Sequence, residues 1–180
     1  MNFNNQILIA LPDMQDQRFK QAVILICEHH DDGAMGLVLN HPMELNTKQV
    51  FADLNLGNPL ANHTVLDGGP LNKNCGFVIH ASNQKFNSSI NIQNNLTLTT
   101  SKDLLEQIAE HSFSCKWQFL LGYSSWHKNQ LENEIAQNTW LTCPADFDLI
   151  FNVPIDKKWQ TALALIGINN YQNITGIGHA

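Results

Sequence analysis

The residues with the richest chemistry in this sequence are Cys27, Glu28 and His29, directly after a run of apolar residues. Thiolate and imidazole are both ligands of zinc, and a neighbouring imidazole also lowers the pKa of a thiol. In an extended strand Cys27 and His29 point to one face and Glu28 to the other, because side chains alternate. The segment is therefore half of a zinc site, a reactive thiol beside a histidine, or a packed cysteine beside a hydrogen-bonded histidine.

The rest of the sequence favours the packed cysteine. A zinc site needs three or four protein ligands, and no second short-spaced pair completes one. The four cysteines are widely spaced, at Cys27, Cys75, Cys115 and Cys143. We therefore expect no metal and no cofactor. A small hydrolase or thiol-dependent enzyme that uses Cys27 and His29 is the alternative.

The run Asp67-Gly68-Gly69-Pro70 is the second place where chemistry is possible. Gly68 and Gly69 let consecutive backbone N–H groups converge on an anion. The same residue types more often form a tight turn, which is the favoured interpretation. The chain has neither the phosphate-loop nor the dinucleotide-binding glycine spacing.

A polar and aromatic cluster is the third place, and it contains Tyr123, Trp126, Gln130, Glu132 and Glu134. Glu132 and Glu134 are two positions apart on a predicted helix, so they do not share a face as a paired acid and base would. The structural interpretation makes Trp126 an anchor at the start of the helix and Glu132 a first-turn residue favoured by the helix dipole. Contact with a ligand is the alternative.

Hydrophobic periodicity and turn residues predict the elements that position these residues. Strands are predicted at 6–10, 22–29, 34–40, 63–66, 75–80 and 116–123, and an exposed loop at 82–89. Helices are predicted at 47–54, after a capping box of Thr100 and Asp103, at 130–138, and from Pro154 to 166. Gly33 supplies the turn of a β-hairpin. Because the order has no steady βαβ rhythm, we expect an α+β fold with a mixed or antiparallel sheet. The expected core contains Val23, Leu25, Leu37, Leu39, Phe77, Ile79, Leu120, Trp159 and Leu163.

Composition narrows the class of protein. With 180 residues, of which 43% are hydrophobic and 14% charged, the chain is expected to form one domain over 1–180. The formal net charge is −6 and Arg18 is the sole arginine, so direct binding of nucleic acid is not expected. The sequence lacks a secretory leader and a long apolar span, and we expect a cytoplasmic protein with reduced cysteines and no membrane partner.

Motifs along nearly the whole chain resemble those of the bacterial AlgH/YqgE family. They are residues 8–12, 27–29, 33–40, 68–70, 76–80, 98–101, 122–123, 126, 130–132, 134–135, 140–141, 144–146 and 178–180. The resemblance implies an α+β domain with a branched, partly barrel-like sheet surrounded by helices. It also implies a regulator, because the family is named for a proposed role in bacterial alginate production. Two departures stand out: Cys75 replaces the arginine usual in the family, and residues 124–129 replace a smaller, glycine-containing loop.

Three functions follow from this sequence. The favoured one is a non-enzymatic binding or regulatory protein for a small ligand or a protein partner. The others are the thiol-dependent enzyme described above and a DNA-binding regulator, which the acidic balance disfavours. Sites are commonly built at the ends of rigid elements. The expected ligand-binding residues are accordingly Cys27, Glu28, His29, Asn40, Gly68, Gly69, Trp126, Gln130 and Glu132.

Overall fold

The computed structural model describes residues 2–169, which fall into two units. The first unit contains the chain up to Asn40 and again from Ser124, and the second contains His41–Tyr123. The sequence motif at 178–180 lies outside the described residues. The expectation of a single domain concerns cooperative folding and stays a prediction.

The described residues form ten strands and five α-helices. The strands are β1 (Gln6–Ala10), β2 (Val23–His30), β3 (Gly33–Val38), β4 (Pro42–Asn46), β5 (Thr64–Asp67), β6 (Leu71–His80), β7 (Ser89–Gln93), β8 (Leu96–Thr99), β9 (Trp117–His127) and β10 (Trp140–Pro144). The helices are α1 (Thr47–Asp53), α2 (Lys102–Ala109), α3 (Gln130–Ala136), α4 (Phe147–Phe151) and α5 (Lys158–Leu165). Single 3₁₀ turns occur at Gln17–Phe19 and Ile155–Lys157.

The sheet of the first unit runs in the order β10, β1, β2, β3 and the end of β9, with every neighbour antiparallel. The predicted β2–β3 hairpin is present, but its turn consists of Asp31 and Asp32, and Gly33 is the first residue of β3, opposite His30. A Cβ at Gly33 would lie 2.1 Å from the carbonyl oxygen of Trp126, so only glycine permits the close pairing with β9. One face of the sheet buries an apolar cluster that consists of Phe3, Leu8, Ala10, Ala22, Ile24, Ile26, Ala34, Val38, Trp126, Leu131 and Trp140.

The second unit contains an antiparallel ladder of β7, β8, β6 and the start of β9. β5 lies off this path and pairs with both β4 and β9, and its pairing with β9 is parallel. The sheet is thus mixed and branched. Its core consists of Val50, Phe51, Val65, Val78, Leu104, Leu105, Ile108, Trp117 and Phe119.

The α+β fold class and the predicted core are confirmed. All nine predicted core residues are 5% exposed or less. Truncation of a fully buried leucine or tryptophan among them should cost about 2–5 kcal/mol of stability.

Several elements differ from the prediction. β4, β7, β8, β10 and α4 were not predicted, and β6 and β9 are longer than expected. The predicted capping box is wrong: the N-cap of α2 is Ser101, and the hydroxyl of Thr100 instead hydrogen-bonds that of Ser88 at 2.7 Å. Pro154 does not start the last helix directly, because its ψ of 144° is extended and a 3₁₀ turn precedes α5.

Helix α4 depends on a contact that local sequence does not reveal. Its C-terminal carbonyl groups at Leu149 and Ile150 accept hydrogen bonds from the ammonium group of Lys158. Burial lowers the pKa of Lys158 to about 8. The lysine satisfies carbonyls that a five-residue helix leaves unpaired.

Candidate functional site

His29 holds the N-terminal segment and helix α3 in the first unit. Its Nδ1 accepts a hydrogen bond of 3.0 Å from the backbone N–H of Phe3, and its Nε2 lies 2.9 Å from Oε1 of Glu132. Because a backbone N–H can only donate, Nδ1 is the acceptor and Nε2 carries the hydrogen that Glu132 accepts. The pKa of Glu132 is lowered, chiefly by the hydrogen bond from its own backbone N–H and also by His29.

Cys27 is the extra residue of a β-bulge in β2. The β2–β3 register passes from Ile26 opposite Gly36 to Glu28 opposite Met35. A bulge locally interrupts the pairing of the ladder, and the shared face of Cys27 and His29 stays a prediction. The thiol contacts its own strand, with Sγ 3.6 Å from the carbonyl oxygen of Leu25.

Burial governs the chemistry of this thiol. Cys27 is 4% exposed, and desolvation raises its pKa, with a smaller contribution from Glu28. A reactive cysteine needs a lowered pKa and access. Cys27 has neither property.

The cluster at α3 is organised by Glu134. Its Oε2 accepts hydrogen bonds from the indole N–H groups of Trp126 and Trp140, at 2.9 and 2.8 Å. Its Oε1 accepts from Nε2 of Gln130 at 2.8 Å, while Oε1 of Gln130 accepts from the backbone N–H of His127 at 3.0 Å. The predicted ligand contacts of Trp126 and Gln130 are therefore occupied within the first unit.

Glu28 and Asn40 complete the predicted residues of the first unit. Oε1 of Glu28 lies 3.7 Å from Nε2 of the exposed His30. Asn40 accepts from the backbone N–H of Val23 at 2.8 Å and donates to the carbonyl of Gln21 at 2.7 Å. Asn40 thus fixes the start of β2.

The glycine pair of the second unit forms a turn whose donors are used internally. The N–H of Gly68 donates to the carbonyl of Leu121 at 2.8 Å, and that of Gly69 donates to Oδ1 of Asp67 at 3.1 Å. Lys73 also contacts this oxygen of Asp67. An anion nest needs free converging N–H groups. The turn interpretation is therefore the one that these bonds support.

Residues 2–169 contain neither a metal-binding cluster nor a helix that could span a membrane. Within this range, His, Cys, Asp and Glu form no group of three or more that could hold a metal ion. No helix in the same range combines the length and the apolar character needed to cross a membrane. The prediction of a metal-free protein remains for elemental analysis of the purified chain.

The second unit contains a cavity of about 270 Å³ that the sequence analysis missed; we call it the α2 pocket. It is lined by Val50, Leu54, Asn74, Gly76, Val78, Thr99, Thr100, Ser101, Lys102, Leu105, Phe119 and Leu121. Gly76 allows the ring of Phe119 to lie against β6, because a Cβ there would be 2.8 Å from Cζ of the ring. Pockets with an apolar lining and a few polar groups are the usual form of small-molecule sites.

The polar groups of the α2 pocket differ in their partners. The hydroxyl groups of Thr99, Thr100 and Ser101 are hydrogen-bonded inside the second unit. In the described part of the chain, the amide of Asn74 and the ammonium of Lys102 have no hydrogen-bond or ionic partner, and both residues are exposed. These two groups are available to a ligand.

Comparison with known proteins now places the chain. Residues 7–171 match the model of the AlgH-like family. The chain belongs to the AlgH-like family. A UPF0301 protein of Photobacterium profundum is 42% identical over the full length of both chains. A UPF0301 protein of Neisseria meningitidis is 38% identical, again over both full lengths.

Solved structures of similar proteins agree with the fold. The solution structure of AlgH from Pseudomonas aeruginosa superimposes with a TM-score of 0.81 at 36% identity, covering 100% of this chain and 97% of that one. A Corynebacterium diphtheriae protein, solved by X-ray crystallography, gives a TM-score of 0.74 at 19% identity and covers 95% and 92% of the two chains. The second similarity concerns the fold alone.

The departure at Cys75 lies in β6 beside the α2 pocket of this AlgH-like chain. Cys75 is half-buried and does not line the cavity, although its neighbours Asn74 and Gly76 do. The lining residues share no unusual chemistry, and they come from α1, β6, β8, α2 and β9. For that reason no local sequence signal identified the pocket.

Proposed function

We propose that this AlgH-like protein is a non-catalytic binding protein that holds a small ligand in the α2 pocket, and that any regulatory effect depends on that ligand or on a protein partner. The observation that carries the proposal is a cavity with an apolar lining and two unpartnered polar side chains. The residues favoured from the sequence, apart from Glu28, contribute internal hydrogen bonds instead. A ligand in the pocket would replace water on Val78, Leu105 and Phe119.

The thiol-dependent alternative has weaker support. A catalytic thiol needs a base within hydrogen-bond reach and a lowered pKa. Burial raises the pKa of Cys27, and both ring nitrogens of His29 already have partners, Phe3 and Glu132.

Thr99, which lines the pocket, pairs its hydroxyl with a base, the ring of His80. The hydroxyl of Thr99 lies 2.9 Å from Nε2 of His80 and also 2.8 Å from the hydroxyl of Ser89. Nδ1 of His80 faces the hydroxyl of Ser82 at 3.3 Å, whereas a triad places a carboxylate there. We therefore assign this network to stability.

The binding function is tested with small apolar probes, indole and 1-octanol, added to ¹⁵N-labelled protein. We expect chemical-shift changes at the amides of Val78, Leu105 and Phe119, and recovery of both probes unchanged after prolonged incubation. Leu54→Trp should abolish the changes, because Leu54 is a partly exposed lining residue that a larger side chain extends into the cavity.

Leu60→Trp is the matched control, since Leu60 is 78% exposed and does not line the pocket. The variant should bind both probes as the parent does. Absence of probe-dependent shifts in the pocket, or shifts that Leu54→Trp leaves intact, would reject the proposal.

We further propose that regulation does not involve direct contact with duplex DNA. The net charge of −6 repels phosphate, and Arg18 is engaged by Asp16 with Nη2 2.7 Å from Oδ2. A titration with duplex DNA at physiological salt should give no sequence-specific binding tighter than about micromolar, the weak edge of non-specific association. Tighter sequence-specific binding would instead support the hypothesis of a DNA-binding regulator.

A cytoplasmic location belongs to the same proposal. All four cysteines are free, and Cys115 is exposed. Free exposed thiols are typical of proteins kept in a reducing compartment. Cell fractionation with a tagged full-length chain tests this.

A further inference from the structure

We propose that the α2 pocket selects a small amphipathic monocarboxylate, whose carboxylate binds Lys102 and whose apolar body fills the cavity. This inference rests on the proposed binding function and adds the chemical class of the ligand. It follows from three properties of the pocket: its lining, its charge and its size.

The lining sets the apolar body of the ligand. Val50, Val78, Leu105, Phe119 and Leu121 present aliphatic and aromatic carbon to the cavity. Each methylene of a ligand buried against such a surface is removed from water and so strengthens binding. A fully polar ligand such as a free sugar would gain nothing from these walls.

The charge sets the polar group. Lys102 is the sole charged residue among those that line the pocket, and it has no ionic partner in the described part of the chain. The adjacent carboxylate of Asp103 forms no ion pair with Lys102; it accepts hydrogen bonds from Ser101 Oγ at 2.5 Å and from the backbone N–H of Asn87 at 2.8 Å. The unpaired ammonium of Lys102 can bind one carboxylate, and the amide of Asn74 is a second available donor.

The size sets the length of the ligand. A cavity of 270 Å³ corresponds to the liquid volume of about nine waters, at roughly 30 Å³ each. A carboxylate with about ten non-hydrogen atoms, such as octanoate, therefore fills it. Butanoate leaves much of the apolar wall wet, and dodecanoate extends beyond the cavity into solvent.

Calorimetric titration of the full chain with octanoate, butanoate, dodecanoate, 1-octanol and octylammonium tests the inference. We expect octanoate to bind on the order of 100-fold more tightly than butanoate, which has four fewer methylenes to bury, and about tenfold more tightly than 1-octanol. Dodecanoate should bind no more tightly than octanoate, and octylammonium should bind more weakly than octanoate and 1-octanol. Lys102→Gln should reduce the affinity for octanoate about tenfold and leave that for 1-octanol unchanged. Both Lys102 and the control position Lys85 are exposed, so the variants should fold.

Lys85→Gln removes the same charge from the second unit outside the pocket and should bind octanoate as the parent does. If 1-octanol binds as tightly as octanoate, or if Lys102→Gln and Lys85→Gln weaken octanoate equally, selection of a carboxylate is wrong while the binding function stands. If no probe of the series binds in the pocket, the proposed function fails together with the inference.

Discussion

A single carboxylate joins the aromatic residues of the first unit. Glu134 accepts from the indole groups of Trp126 and Trp140 and from Gln130, and both indoles are at most 5% exposed. Hydrogen bonds to a charged acceptor contribute more than neutral ones, and an indole N–H left buried without a partner costs about 1–3 kcal/mol.

We expect Glu134→Leu to lower the free energy of unfolding by about 2–5 kcal/mol, because both indoles lose their acceptor. Glu134→Gln should cost about 1–2 kcal/mol, since an amide still accepts but presents its NH₂ to that of Gln130. Urea unfolding measures both values, and the indole proton resonances of Trp126 and Trp140 should shift in both variants. Glu44→Gln is the control at an exposed glutamate; a cost for Glu134→Leu no larger than for this control would contradict the role of Glu134.

The buried ring of His80 makes the stability of the folded protein depend on pH. The ring is fully buried, and burial lowers its pKa from 6.5 to about 4. Between these two values the unfolded chain binds a proton that the folded protein does not, so stability is lost as the pH falls through this window. The lowered pKa of His63 acts in the same direction.

The measurement is urea unfolding at pH 7 and pH 4.5 for the parent and for His80→Gln. The parent should lose more stability than the variant, by up to about 2.4 kcal/mol, because these two pH values span most of the window between the two pKa values at about 1.36 kcal/mol per pH unit. His30→Gln, at an exposed histidine, should behave as the parent does. A ring resonance of His80 that titrates near 6.5 in the folded protein would disprove the assignment.

At the scale of elements, several residues that connect strands and helices adopt the left-handed backbone conformation. Six of the eight non-glycine residues with positive φ in residues 2–169 are asparagines, which tolerate this region best. Gln21, just before β2, is an exception with φ of 53°, and it is exposed.

We expect Gln21→Gly to stabilise the protein by about 0.5–1 kcal/mol, because glycine removes the steric cost of this conformation at an exposed position. The carbonyl that accepts from Asn40 is retained. Gln21→Ala keeps the Cβ and should gain nothing. Thermal unfolding of the parent and the two variants measures these effects. Equal melting temperatures for the glycine and alanine variants would contradict the backbone argument.

At the scale of the whole molecule, strand β9 belongs to both units, with Trp117 to Tyr123 in the second and Ser124 to His127 in the first. When one unit unfolds, the part of β9 that lies in it loses its hydrogen-bonded neighbours, and this disturbs the same strand where it continues into the other unit. We therefore expect one cooperative transition, in agreement with the predicted single domain.

Native-state hydrogen exchange in increasing urea tests this expectation. The amides of β2 in the first unit and of β8 in the second should converge on one free energy of unfolding. Two plateaus separated by more than about 1 kcal/mol would show that the units unfold independently.

The sequence by itself determined the elements whose signals are local. The alternation and turn residues of the β2–β3 hairpin, the periodicity of α1 and α3 and the apolar core positions all depend on residues within a few positions of one another. β7 and β8 carried such a signal as well, since Asn94 and Asn95 separate two alternating runs. β4 carried none, because Pro42–Asn46 is short, begins with proline and has no fully buried residue.

Tertiary structure alone decided which polar residues are free. The bulge at Cys27 arises from pairing with β3, and the partners of His29 and Gly68 come from distant parts of the chain, up to 103 residues away. The α2 pocket is likewise assembled from five elements between Val50 and Leu121. Periodicity and turn chemistry act locally, and for that reason the fold class could be predicted from the sequence. Hydrogen-bond satisfaction and cavity shape depend on long-range packing, and for that reason the site became visible only once the strands were paired.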